Sequence, residues 1–353
     1  MKKTLKGILC IALAAVLAFG AAACGAGTET GTSASEAAGQ TTSSAPEASA
    51  AAEATADTVF PFELTTYEDA VVTFTHVPER VIAANVNTGE QLMALGLGDK
   101  IIATCSNNAR VAEEYREEYE SKPSLTDKGQ PSFEVVMDLD PDFIYGRSSA
   151  FGKKGVASHD TLSENGIMSL SSIEGYKLGA DVEDVYQDFY NLGKIFQVED
   201  KANEVVDEMK ARITAVEEKV KDVEPVKVFN FDSEMDGGAY TPGNNFTSKL
   251  IRHAGGVNVF EDLENTWNTV SWEAVVEADP DVIIINDYGN TTLEEKIEQL
   301  KTNPALSGLK AVQEENFIIV ELPEVFASAR IAGTVEKFAK TFHPELFTEE
   351  EEG

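Results

Sequence analysis

The chain has 353 residues, 42% of them hydrophobic, and a formal charge of −33. A field that negative repels phosphate backbones and anionic lipid surfaces, which argues against nucleic-acid binding and makes any anionic ligand depend on a local basic patch. The residues from Val59 onward are enough for two domains, each with its own core.

Lys2, Lys3 and Lys6 precede an apolar stretch over 8–23. The stretch is short for a membrane-spanning helix and no basic stop-transfer cluster follows it, so residues 1–23 read as a cleaved secretory signal. Its end, Ala21-Ala22-Ala23-Cys24, resembles the lipobox of bacterial lipoproteins, with alanine at position 21 where those proteins usually have leucine. The resemblance implies acylation of Cys24 (diacylglycerol and palmitate), ordinary signal cleavage being the alternative; two acyl chains anchor stably where one does not. Residues 24–58 are nearly all Ala, Ser, Thr, Gly and Glu, too poor in bulky apolar groups to offset the entropy of ordering, and read as a disordered lipidated tether. The folded part would then sit at the outer face of a bacterial cell membrane, held by lipid alone. Cys10 leaves with the signal and Cys24 takes lipid, so Cys105 has no disulfide partner and stability must come from a hydrophobic core.

An N-terminal lobe is expected over 59–178. A strand at 80–84, a polar loop at 85–88, a helix at 89–95 closed by Gly96 and a strand at 101–104 make a βαβ unit. Residues 132–144, SFEVVMDLDPDFI, then recur as 271–283, SWEAVVEADPDVI. Each copy has a serine that can cap a helix, a glutamate in the first turn, an Asp-Pro-Asp stop and an apolar run typical of a buried parallel strand. A period that long marks two similar α/β lobes rather than a solenoid, and the space between them is the default ligand site.

Val182, Val185, Tyr186, Phe189, Leu192, Ile195 and Phe196 fall at helical spacing, as do Ala202, Val205, Val206, Met209, Ile213, Val216 and Val220. The first helix, 179–198, is read as the strut between lobes, an ordinary packing helix being the alternative. The C-terminal lobe, 199–347, replays the first: a strand at 226–231, a glycine-rich loop at 232–245, a helix at 246–254, the second motif copy, a strand at 317–320 and a final helix. Residues 348–353 are an acidic, solvated tail. Polar and aromatic residues gather just past strand ends, at Asn85 and Asn87 and over 106–108, 147–149, 232–234 and 286–288, where open α/β sheets bind ligands.

Taken in order and spacing, 80–104, 132–145, Leu192-Gly193-Lys194, Tyr240-Thr241-Pro242-Gly243, 250–259 and 271–285 resemble the substrate-binding proteins of ABC importers for iron siderophores, haem and cobalamin, the class III periplasmic binding proteins. The resemblance covers nearly all of 59–347. It implies an α/β fold of two similar lobes with mostly parallel central sheets, joined by one long rigid helix, with the ligand cleft between them. It also implies a monomer without a cofactor that delivers its ligand to an ABC permease dimer served by a cytoplasmic ATPase. One docking glutamate per lobe is implied as well, here Glu134 and Glu273; read alone, an acid in a helix's first turn simply complements the helix dipole.

His76, His159, His253 and His343 have no partners at metal-ligand spacing, which favours a large chelate or macrocycle over a bare transition metal. Arg110, Lys128, Arg147 and Arg330 are the candidate holders of an anionic ferric chelate, although each could instead pair with a nearby carboxylate. Asn87 is a candidate polar contact. Tyr145, Tyr240, Trp267, Tyr288 and Phe326 are candidate flat walls or core residues, with Trp267 foremost because it lies in the polar stretch 265–269. A ferric siderophore is the expected ligand, with a cobalamin-type corrinoid or haem as the alternative. A more distant alternative is an extracellular hydrolase using Glu134 and Glu273. Their equivalent surroundings give no means of separating the two pKa values, and no nucleophile elbow or phosphate-binding loop is present.

Overall fold

The computed structural model describes residues 59–348. The proposed signal, Cys24, the tether and residues 349–353 lie outside the described residues. The first lobe contains β1 (Phe62–Thr65), β2 (Val71–Phe74), β3 (Val81–Ala83), α1 (Val86–Ala94), β4 (Ile101–Thr104), α2 (Glu113–Glu120), α3 (Phe133–Met137), β5 (Phe143–Gly146), α4 (His159–Glu164) and β6 (Met168–Ser171). Two helices follow, α5 (Val182–Phe196) and α6 (Glu199–Val220). The second lobe begins with β7 (Val226–Phe231), β8 (Ser233–Met235), β9 (Gly238–Pro242), α7 (Phe246–His253), β10 (Gly256–Asn258) and β11 (Trp267–Val270). It ends with α8 (Trp272–Ala278), β12 (Val282–Asn286), α9 (Leu293–Thr302), α10 (Lys310–Gln313), β13 (Phe317–Val320) and α11 (Ile331–Phe342).

Each lobe has a four-stranded, wholly parallel sheet, ordered β4-β3-β5-β6 in the first and β10-β7-β12-β13 in the second. The two orders are the same arrangement. In both, the direction of winding reverses between the first and third strands, so the loops leaving β3 and β5, and those leaving β7 and β12, part to open a crevice at the strands' carboxyl ends.

The repeated motif works alike in both lobes. The aspartate before the proline is in the left-handed region in both copies, Asp140 just beyond the end of α3 and Asp279 at the end of α8, each with φ of 48°. The aspartate after the proline ties the motif to the head of the sheet's first strand. Asp142 accepts the backbone N–H groups of Glu79 and Arg80, both at 2.8 Å, and Asp281 accepts that of Lys227 at 3.1 Å.

One face of each sheet has its own apolar cluster, around Ile82, Ile144 and Phe151 in the first lobe and Phe229, Ile283 and Leu300 in the second. The other faces share one cluster, which runs from Phe143 through Phe189 and Val206 to Ile284 and Val335. Parting the lobes widely would expose that shared core, which restricts their relative motion.

The helix that carries the chain between the lobes is not the one expected at 179–198. Gly193 of α5 packs on Ala202 of α6, and Lys210 of α6 lies over the rings of Tyr186 and Tyr190, so the two helices form an antiparallel hairpin. Glycine is required at 193, because a Cβ there would come within 2.7 Å of the Ala202 Cβ. α5 ends with Phe196 edge-on to Phe143 in the first sheet, at 5.7 Å between centroids. α6 starts there and finishes with Val220 against Gly255, while its Arg212 pairs with Glu336 of α11 at 2.8 Å. The 22-residue α6 therefore carries the chain across. Periodicity marks both helices but contains nothing about which one spans the lobes.

The expected glycine-rich loop at 232–245 is also ordered. β8 and β9 form a hairpin around Asp236-Gly237, both with positive φ, and β11 completes a three-stranded antiparallel sheet, which also places Trp267 on a strand.

Candidate ligand-binding cleft

The loops leaving the switch-point strands build the cleft. In the first lobe, Asn85 lies in extended backbone at the head of α1, and its Oδ1 accepts the N–H of Arg147 at 2.9 Å, joining the loops after β3 and β5. Asn87 reaches the other lobe, donating from Nδ2 to the Ala327 carbonyl at 2.8 Å. In the second lobe Asp232 follows β7, and Tyr288 lies just past β12. Asn286 donates to Asp232 Oδ1 at 2.8 Å and the Tyr288 hydroxyl to Oδ2 at 2.7 Å. Asn230 fixes Asn286 from behind at 3.0 Å. Burial, reinforced by the Asp232 carboxylate, pushes the Tyr288 phenol far above its ordinary pKa, so it remains a donor.

Buried Lys296 supports this loop by donating to the carbonyls of Asn286 and Tyr288, at 2.5 and 3.3 Å, with its ammonium 4.7 Å from the Tyr288 ring centroid. Burial lowers its pKa against the opposing fields of Asp232 and Asp287.

Two adjoining cavities of about 330 and 260 Å³ share Arg147, Trp267 and Phe326. Asn87, Asp232, Tyr240 and Tyr288 line the larger; Glu174, Tyr176, Asn245 and Thr247 line the smaller. Tyr240 and Trp267 are diagonal neighbours across the β9–β11 pair, and their rings stack at 5.3 Å and 19°.

Six of the ten cleft candidates, Asn87, Arg147, Tyr240, Trp267, Tyr288 and Phe326, therefore line the cavities. Arg110, Lys128 and Arg330 do not. Arg330 makes a two-pronged pair with fully buried Glu90 of α1, bonds Glu321 at 3.0 Å and donates to the Arg110 carbonyl at 2.8 Å, so it ties the lobes together. Arg110 is 65% exposed, bonded to Glu321 at 2.8 Å and 4.0 Å from Asp287. Lys128 is exposed in the loop before α3. Arg147, though in the cleft, is held by Glu174 at 2.9 Å and lies 3.8 Å over the Phe326 ring. The expected convergence of arginines on a bound anion is thus replaced by arginine–carboxylate pairs.

Tyr145 is not a wall either. It is fully buried, with its hydroxyl bonded to Gln91. His159 is packed away from the cleft between Ser169, Ser171 and the Phe151 ring, and burial brings its pKa down to about 4. His253 and His343 lie at helix ends, half-buried and buried respectively: His253 is clasped by Asp181 and Glu217, and His343 donates from Nε2 to the Gly255 carbonyl at 2.9 Å. Among the described residues, no three His, Cys, Asp or Glu side chains converge as metal ligands.

Asp232, Glu174, Tyr176, Asn245 and Thr247 were missed as individual lining residues. Asp232 alone carried a signal, its position at a strand end. Glu134 and Glu273 are exposed on α3 and α8, outside the lining of both cavities. The Glu134 carboxyl is held below its usual range by its own backbone N–H and the Ser132 hydroxyl.

The family model for periplasmic binding proteins matches residues 81–322, which hold both parallel sheets and most of the cleft. The chain belongs to the periplasmic binding protein family. An uncharacterised ABC transporter substrate-binding lipoprotein of Bacillus subtilis, YvrC, is 25% identical over 82% of this chain and 88% of its own length. A vitamin B12-binding protein of Yersinia pestis is 22% identical over 59% of this chain and 69% of its own. The crystal structure of a periplasmic binding protein from Veillonella parvula superposes with a TM-score of 0.73 at 30% identity, covering 80% of this chain and 97% of that one. This periplasmic binding protein is the ligand-capturing component of an ABC importer and not an enzyme, which sets aside the hydrolase reading of Glu134 and Glu273.

Proposed function

We propose that the protein captures a cobalamin-type corrinoid outside the cell and delivers it to an ABC permease. One observation carries the choice: the cations lining the cavities, Arg147 and Lys177, already face Glu174 and Asp184, whereas Tyr240, Trp267, Tyr288 and Phe326 offer rings to a ligand. An anionic ferric siderophore, the ligand expected from the sequence, needs an unpaired cation. Haem brings two carboxylates and has the same requirement. A corrin instead presents a broad apolar face with uncharged carboxamide arms, suited to aromatic walls and polar side chains. The similarity to a vitamin B12-binding protein supports the same reading.

Isothermal titration with cyanocobalamin, haemin and ferric siderophores at two ionic strengths tests it. Cyanocobalamin should bind with little salt dependence, and Trp267→Ala should weaken it roughly tenfold or more. Tight, salt-sensitive binding of a ferric catecholate, indifferent to Trp267→Ala, would restore the siderophore reading. For delivery, we assign Glu134 and Glu273 to permease docking and Cys24 to the lipid anchor. Glu134→Arg or Glu273→Arg should leave affinity within a few-fold while reducing uptake, since exposed rim charges act on encounter and orientation. Cys24→Ser should release the protein from the membrane fraction, and retention there would reject the anchor.

A further inference from the structure

Arg147 in the cleft has a carboxylate partner, but one cleft carboxylate has no cation. Asp232 is 2% exposed, stands at the end of β7 and lines the larger cavity with Tyr240, Trp267 and Tyr288. Its hydrogen-bond partners are all neutral: Asn286 on Oδ1 at 2.8 Å, and the Tyr288 and Ser233 hydroxyls on Oδ2 at 2.7 and 3.2 Å. No Lys, Arg or His lies within 4.0 Å of it among the described residues. Lys296, whose field reaches Asp232, donates to main-chain carbonyls instead. A carboxylate offers about four acceptor sites, and these donors fill three, leaving one on Oδ1. A buried carboxylate without a counter-ion is costly to the fold, and the Asn230–Asn286–Tyr288 network that steadies it costs further ordering.

We infer that Asp232 sets the charge selectivity of the cleft, accepting an N–H from a carboxamide arm of the ligand and turning away analogues that carry carboxylates there. This inference rests on the corrinoid reading and adds the chemical feature that is recognised. A carboxamide fills the remaining acceptor site. A carboxylate of similar size has no proton to give and brings like charge against buried Asp232.

The test compares two corrins with the same macrocycle, dicyanocobinamide with amide arms and dicyanocobyrinic acid with carboxylates, on the wild type and Asp232→Asn. The wild type should prefer the amide form by on the order of a hundredfold or more, since like charges brought together at a binding site cost several kcal/mol. Asp232→Asn should narrow the preference to roughly tenfold, chiefly by admitting the acid, as expected when the like-charge term is removed. The wild-type comparison stands even if the variant fails to fold. Equal binding of the two forms to the wild type, or an unchanged preference in a folded Asp232→Asn, overturns the inference while leaving the corrinoid reading intact. Failure of both corrins to bind the wild type overturns the inference, and failure of cyanocobalamin as well overturns the corrinoid reading.

Discussion

In the first lobe, the loops leaving the switch-point strands are locked by Asn85 onto the Arg147 backbone, and the Arg147 side chain is spent on Glu174 and the Phe326 ring. In the second lobe, the equivalent loops carry Asp232, Asn286 and Tyr288, and an inserted three-stranded sheet adds the stacked pair Tyr240 and Trp267. The parallel sheets are ordered alike and begin with the same Asp-Pro-Asp tie, so the difference lies in what each scaffold presents and not in how it is built. The shared strand order fixes where the loops emerge. The chemistry at their tips differs, with charges neutralised on one side and a carboxylate left without a counter-ion among rings on the other.

The largest expected effect breaks the comparison at the joint. Arg330→Ala leaves Glu90 buried without its counter-ion and should cost about 3 kcal/mol, read from urea unfolding. A loss under about 1 kcal/mol would mean that the shared apolar cluster alone holds the lobes together.

A smaller effect sharpens the comparison of the two ties. Asp142→Ala removes an acceptor shared by two backbone N–H groups and should cost about 2 kcal/mol, against about 1 kcal/mol for Asp281→Ala, which frees one. Equal losses would show that the two copies of the motif do equivalent work despite their different bonding.

The smallest effect is a pH dependence where the α5–α6 hairpin meets α7. Burial by itself would lower the His253 pKa, but the carboxylates of Asp181 and Glu217, at 2.7 and 2.6 Å, outweigh it and raise the value. A raised folded-state pKa gives stability that is complete below the unfolded imidazole value of about 6.5 and lost as pH rises through the folded value. His253→Gln should therefore cost about 1 kcal/mol at about pH 6 and close to nothing at about pH 9 in urea-midpoint titrations. A deficit that grows with pH would contradict the clasp.

The architecture was legible because its signals are local. An Asp-Pro-Asp stop, a serine before an apolar run and helical spacing at 182–196 each act within a few residues, and their repetition announced two α/β lobes. The Asp236-Gly237 hairpin was equally local, yet the surrounding glycines made 232–245 read as a loop. Side-chain fate was another matter. Tyr145 and Tyr288 are both tyrosines near strand ends, but Tyr145 lies within a parallel strand buried on both faces, whereas Tyr288 lies past the end of one.

The free or paired state of an arginine is less local still. Arg330 meets Glu90 across 240 positions and the Arg110 carbonyl across 220, and Asn87 meets Ala327 across 240. Sequence by itself determined the frame, because helix stops and strand patterning are short-range and repeat. Only the tertiary structure decided which charges cancel and which remain in the cleft, because electrostatic pairing depends on distance in space, and the fold brings those partners together from opposite ends of the chain.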